Sequence, residues 1–213
     1  MRHLYIDGDS TAYGMHDKES GGWPHRLHMA YLNQETRLED TTFVQSRAYP
    51  GRTLAGILRS VNTTLRDFRR MGTVTAIVQT GMNEVKIFPS SDNPVVPREL
   101  FGRQILQFCD IVRENDCSAL LVGPPPIDPT LDNPTFSGAL IQDKMLAKYS
   151  ETMRDVAESR DWPIAYVDTR AAFANSGRPV SELLSEDGYH PNTPGHAVMF
   201  EAVSAALSGL ANR

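Results

Sequence analysis

The sequence predicts an α/β fold in which a mostly parallel, five-stranded sheet is covered by helices on both faces. Two observations carry this. Five short apolar runs rich in branched residues alternate with longer stretches of helical periodicity. No internal repeat or linker interrupts that alternation, so the 213 residues read as one domain spanning 1–213.

The first strand candidate is His3 to Asp7, which runs straight into Gly8-Asp9-Ser10. A helix candidate at Trp23–Asn33 and a weaker strand at Thr42–Ser46 follow. The segment Thr53–Met71 places Leu54, Ile57, Leu58, Val61, Leu65 and Phe68 on one helical face. Strand candidates then lie at Thr73–Thr80, Ser118–Gly123 and Ile164–Asp168, with helices near Arg98–Asn115, Gly138–Arg160 and Thr193–Leu210. Thr193-Pro194 is a sound helix start, with Thr as cap and Pro in the first turn. Two proline-rich stretches, Pro89–Pro97 and Pro124–Pro134, break the rhythm. Each follows the C-terminal end of a strand, where open α/β sheets bind ligands, and proline suits them to fixed pocket walls rather than hinges.

Composition narrows the function. Apolar content of 40% and charged content of 22% are those of a folded globular chain. A net charge of −5 argues against nucleic acid or an anionic membrane as partner, since both attract basic surfaces. A small neutral or weakly polar molecule is the expected partner; the sequence is silent on homo-oligomers. No apolar run approaches the roughly 20 residues of a membrane span, so no insertion is expected. The N-terminus shows no cationic, apolar leader, and a cytoplasmic location is the expectation. Cys109 and Cys117 belong to no metal-type cluster and read as reduced, buried thiols.

The chemistry gathers at strand ends. Ser10 stands just past the first strand, where its hydroxyl is exposed at the sheet edge and its N–H points toward a developing anion. Gly8 permits a sharp turn there. Asp187-Gly188-Tyr189-His190-Pro191-Asn192 precedes the last helix. Asp and His three apart on one turn can be neighbours, so that Asp187 holds one imidazole nitrogen and the other accepts the proton of Ser10. Gly81-Met82-Asn83 follows the strand ending at Thr80, and Gly51 follows the second strand. Each position taken alone fits a turn residue. Together they converge on one edge of one sheet.

These blocks make the sequence resemble the SGNH hydrolases, also called the GDSL esterase/lipase family. Gly8-Asp9-Ser10 with Gly14, then Gly51, then Gly81-Met82-Asn83, then Asp187-Gly188-Tyr189-His190 come in the family's order and span most of the chain. Gly22-Trp23-Pro24 and Gly195-His196 also fit it. The resemblance implies a flavodoxin-like three-layer α/β/α fold and a carboxylic ester hydrolase without metal or organic cofactor. It implies Ser10 as nucleophile, Asp187 and His190 completing a triad, and an oxyanion hole from Ser10, Gly51 and Asn83. Glu84, where many members carry Asp, and Pro50-Gly51-Arg52, in place of the commoner Ser-Gly-Asp, are departures expected at the pocket rim. Phe88, Leu131 and Phe136 are candidates for an acyl pocket, and Arg52 for contact with a polar alcohol portion.

Three other readings compete. A haloacid-dehalogenase-type phosphatase would use Asp7 of Asp7-Gly8-Asp9-Ser10-Thr11 with Mg²⁺, but the later acidic pair it requires is missing. A signalling receiver domain would need an acceptor Asp where Thr80-Gly81 stand. A non-catalytic ligand-binding relative would have no reason to keep competent residues at every catalytic position.

Overall fold

The computed structural model describes residues 1–34, 37–128, 130, 135 and 137–210. Five strands, β1 (Arg2–Gly8), β2 (Thr42–Ser46), β3 (Thr73–Gln79), β4 (Ser118–Val122) and β5 (Ile164–Val167), form one sheet in the order β2-β1-β3-β4-β5. Every pairing is parallel. Parallel strands need crossovers, and the helical segments supply them: α1 (Ser10–Tyr13), α2 (Trp23–Leu32), α3 (Leu54–Leu58), α4 (Val61–Arg69), α5 (Arg98–Glu114), α6 (Asp143–Glu158), α7 (Thr169–Ala174) and α8 (Thr193–Leu210).

Strand periodicity of two divides the apolar residues between two cores. Tyr5, Val74, Ala76, Val78, Ala119 and Leu121 face α3, α4, α5 and α6. Leu4, Ile6, Ile77, Leu120 and Val122 face α1, α2, α7 and α8. A sheet covered on both faces has near-continuous apolar strands, which is why β1, β3 and β4 stand out in the sequence. The result is the three-layer α/β/α arrangement of flavodoxin-like proteins. Its strand order reverses between β1 and β3, the point where such sheets leave a crevice for ligands.

Three local departures from the sequence reading have physical causes. The segment expected to be one helix over Thr53–Met71 is two, broken at Arg59 and Ser60. Ser60 leaves helical geometry (φ −127°, ψ −16°), and its Oγ accepts from the Arg52 guanidinium at 3.1 Å. The helix expected from Gly138 starts only at Asp143, because Leu140 pairs with Ile87 through two 2.9 Å backbone hydrogen bonds. The short helices α1 and α7 carry too few residues to show an apolar period.

Candidate active site

The chain leaves β1 and turns at once into α1. Asp9 caps that helix by accepting from the Thr11 N–H at 2.9 Å, so Ser10 occupies its first turn. Gly8 is not among the positive-φ glycines, and its role differs from the expected sharp turn. A Cβ there would lie 2.5 Å from the Gln79 carbonyl oxygen and 2.7 Å from the Ala12 Cβ. Close packing of α1 on β3 therefore excludes any side chain. Gly14 combines both demands: it ends α1 at φ 90°, and a Cβ there would meet the Gly21 carbonyl oxygen at 2.1 Å.

At the other end of the chain, residues 184–191 form a closed loop before α8. A bridge between Leu184 and Pro191 pins its base, and the Ser185 N–H donates to the His190 carbonyl at 2.8 Å. Inside the loop, Asp187 Oδ1 accepts from the Ser185 hydroxyl (2.7 Å) and from the N–H groups of Tyr189 (3.1 Å) and His190 (3.0 Å). Asp187 Oδ2 is left for His190 Nδ1, 2.7 Å away. Burial pushes the Asp187 carboxyl up, but the hydrogen bonds from the His190 ring, the His190 N–H and Ser185 outweigh it and hold the group well below the usual carboxylate range. His190 Nε2 lies 2.7 Å from Ser10 Oγ. With Nδ1 donating to a carboxylate that is ionised near neutral pH, Nε2 carries the lone pair and faces the hydroxyl.

His16 also reaches this carboxylate, a contact the sequence did not signal. Its Nε2 is 3.5 Å from Asp187 Oδ2, and its ring lies 5.1 Å from that of His190. A φ of 70° at a non-glycine residue puts it there. Among the described residues, His16, Asp187 and His190 are the group whose donor atoms could gather on a metal ion. Asp187 Oδ2 and His190 Nδ1 already bind one another, and His16 Nε2 approaches the same Oδ2, so the three donor atoms are engaged within the cluster. An open groove lined by His16, Lys18, Glu19, Ser185, Glu186 and Asp187 runs along this acid side.

The other two candidate donors stand on the loops after β3 and β2. Asn83 follows β3, and its Nδ2 donates to the Arg52 carbonyl at 3.0 Å while its Oδ1 accepts from Lys86 Nζ at 2.7 Å. Gly51 sits at φ 78° in a turn closed by the Arg52 N–H donating to the Tyr49 carbonyl at 3.3 Å. Among the described residues, neither the Ser10 N–H nor the Gly51 N–H has a protein acceptor.

Two residues expected at the pocket rim lie inside instead. The Glu84 carboxylate is fully buried and accepts from the Leu54 N–H (2.6 Å), the Thr80 hydroxyl (2.9 Å) and the Gly81 N–H (3.0 Å). It ties the start of α3 to the turn that presents Asn83. Arg52 is 7% exposed, and its guanidinium turns inward to Asp7 Oδ2 at 3.0 Å rather than toward an alcohol portion. Asp7 also accepts from the Tyr5 hydroxyl and the Gly8 N–H, so the carboxylate needed by the phosphatase reading is enclosed and committed to structure. Phe88, beside the Ile87–Leu140 pairing, is partly exposed. Leu131 and Phe136 lie outside the described residues.

His196 is a structural histidine. Its Nε2 donates to the Met15 carbonyl at 3.0 Å, and its Nδ1 accepts from the Trp23 N–H at 3.3 Å. The loop between α1 and α2 is thereby fastened to α8.

The family model for the GDSL-like lipase/acylhydrolase family matches residues 8–198, from just before Ser10 into the first turns of α8. The chain belongs to this family. Solved structures give the same architecture. A lipase/acylhydrolase from Enterococcus faecalis superposes with a TM-score of 0.71 at 16% identity, covering 98% of this chain and 96% of that one. The psychrotrophic esterase EstA from Pseudoalteromonas sp. gives 0.70 at 13% identity, with 99% of each chain covered. Axe2, an acetylxylan esterase from Geobacillus stearothermophilus, gives 0.69 at 16% identity, covering 96% of this chain and 93% of that one. No curated protein matches the sequence significantly. Within the GDSL-like family pattern, this member's Glu84 and Arg52 are buried structural supports for the turns carrying Asn83 and Gly51. Among the described residues, no helix is long and apolar enough to cross a membrane.

Proposed function

We propose that this family member is a serine esterase that cleaves carboxylic esters of short acyl groups through an acyl-enzyme on Ser10. The observation that carries the proposal is the unbroken hydrogen-bond chain from Ser10 Oγ through His190 to Asp187, 2.7 Å at each step. His190 Nε2 takes the Ser10 proton as Oγ attacks the ester carbonyl, while Asp187 fixes the tautomer and steadies the imidazolium. The Ser10 and Gly51 N–H groups and the Asn83 amide receive the negative charge that develops on the carbonyl oxygen. The imidazolium then protonates the departing alcohol. Water, deprotonated by the same nitrogen, attacks the acyl carbon and releases the acid with Ser10 restored.

The alcohol portion we favour is small and hydroxyl-rich, as in an acetylated sugar. The groove beside Asp187 sets His16, Lys18, Glu19 and Glu186 next to Leu184 and Pro194, so hydrogen-bonding groups are on hand for an alcohol's hydroxyls. Axe2 is an acetylxylan esterase, which makes acetylated saccharides the natural test set. Phe88 is proposed to bound the acyl side.

The experiment is a series of p-nitrophenyl esters of rising acyl length, followed by acetylated saccharides, each run with Ser10→Ala as control and with EDTA. Turnover that falls with chain length, resists EDTA and disappears in Ser10→Ala is expected. Turnover retained in Ser10→Ala would refute the proposal, as would a metal-dependent phosphatase activity in place of ester cleavage.

A further inference from the structure

We propose that Lys86 is a positioning residue that sets the Asn83 amide as an anion donor. The assignment rests on the esterase reading above. Its first support is the orientation of the Asn83 amide. An ammonium group can only donate, so the atom 2.7 Å from Lys86 Nζ must be the amide oxygen. A backbone carbonyl can only accept, so the atom 3.0 Å from the Arg52 oxygen must be the amide nitrogen. The two contacts together exclude the flipped amide. One N–H of Asn83 is occupied by Arg52, and the other is the one available to an oxyanion.

The second support is charge. Asp9 and Glu84 are both fully buried, one capping the helix that starts at Ser10 and the other next to Asn83. Burial pushes both carboxyls up, Asp9 to about 7, because each would carry its charge away from water. Lys86 is half-buried, and its charge counters part of the upward shift of Asp9. Its hydrogen bond to Oδ1 is charge-assisted, and it draws electron density through the amide toward the oxygen, leaving the N–H a better donor. The backbone holds Lys86 in place: its carbonyl accepts from the Val95 N–H at 2.9 Å, and the next residue, Ile87, is paired with Leu140.

The test is a double-mutant cycle read in steady-state kinetics on a p-nitrophenyl ester. Lys86→Met keeps the apolar stem and removes the charge; it should lower kcat by about 10- to 100-fold with KM changed less than about twofold. Lys86→Arg should recover most of the loss. Should Lys86→Met fold poorly, Lys86→Gln, which retains a neutral amide donor, should show a smaller loss of the same kind. In an Asn83→Ala background the Lys86→Met change should cost less than about threefold, because the group it acts through is gone. Full kcat in a folded Lys86→Met, or an equal loss with and without Asn83, would overturn the assignment. Ser10→Ala separates the two claims: wild-type turnover there refutes the esterase reading itself, whereas a Ser10-dependent activity indifferent to Lys86 refutes only this one.

Discussion

Ser10 Oγ and His190 Nε2 are 2.7 Å apart although the chain separates them by 180 positions. One stands in the first turn after β1 and the other in the last turn before α8, and both are almost wholly buried. Neither end can build the site alone. Their meeting depends on α8 packing against the sheet face opposite α5 and α6, with His196 fastening α8 to the loop after α1.

Asp187→Asn tests the tautomer argument. The amide can be accommodated in the loop, but it no longer holds a proton on His190 Nδ1 as a carboxylate does. A fall in kcat of roughly 10⁴ is expected in a variant that still folds, the magnitude of this change in serine proteases. Steady-state kinetics on a p-nitrophenyl ester measure it; a loss under tenfold would remove Asp187 from the mechanism.

Glu84→Ala tests whether this carboxylate is a structural support. Three buried donors, the Leu54 and Gly81 N–H groups and the Thr80 hydroxyl, lose their acceptor. A loss of about 3 kcal/mol or more is expected. Glu84→Gln keeps one acceptor and should lose less. Denaturant midpoints at constant slope give both values.

Arg52→Met tests the buried pair with Asp7. Removing one partner leaves a carboxylate in the interior without its cation, and a loss of about 3–5 kcal/mol is expected. Relative turnover of esters with charged and neutral alcohol portions should stay the same. A selectivity change without a stability change would return Arg52 to the substrate pocket.

His196 gives a pH signature. Burial holds its ring at about 4, below the ordinary 6.5. A folded value below the unfolded one means that protons favour the unfolded chain. The stabilisation is therefore complete above pH 6.5 and is lost as the pH falls through about 4, a total of roughly 3 kcal/mol. Denaturant titrations at about pH 7.5 and about pH 4.5 should show a smaller acid loss in His196→Asn than in the unmodified chain. The difference should be about 2 kcal/mol.

Much of this molecule is legible in its sequence, for identifiable reasons. Strands β1, β3 and β4 are buried on both faces, so their apolar runs are uninterrupted, and their ends locate Ser10 and Asn83 directly. Edge strand β2 is only half-buried and correspondingly weak as a signal. What stayed hidden comes from side chains that act across space. The break between α3 and α4 depends on Arg52 reaching Ser60, and no helical period records that. Glu84 and Arg52 look like rim residues because charged side chains are seldom buried; only the fold shows the donors and the Asp7 carboxylate that receive them. His16 reaches Asp187 from a left-handed backbone position that nothing around it announces. Lys86 had a signal in principle, three residues beyond Asn83 and just past the same turn, but spacing alone does not say which amide atom it binds.

The most direct measurement of the central claim is covalent labelling by a fluorophosphonate probe, mapped by peptide mass spectrometry on the unmodified chain, Ser10→Ala and His190→Ala. One adduct per chain on Ser10 is expected, absent in Ser10→Ala and strongly slowed in His190→Ala. Labelling at another residue, or labelling of Ser10 at an undiminished rate without His190, would contradict a nucleophile activated by that histidine.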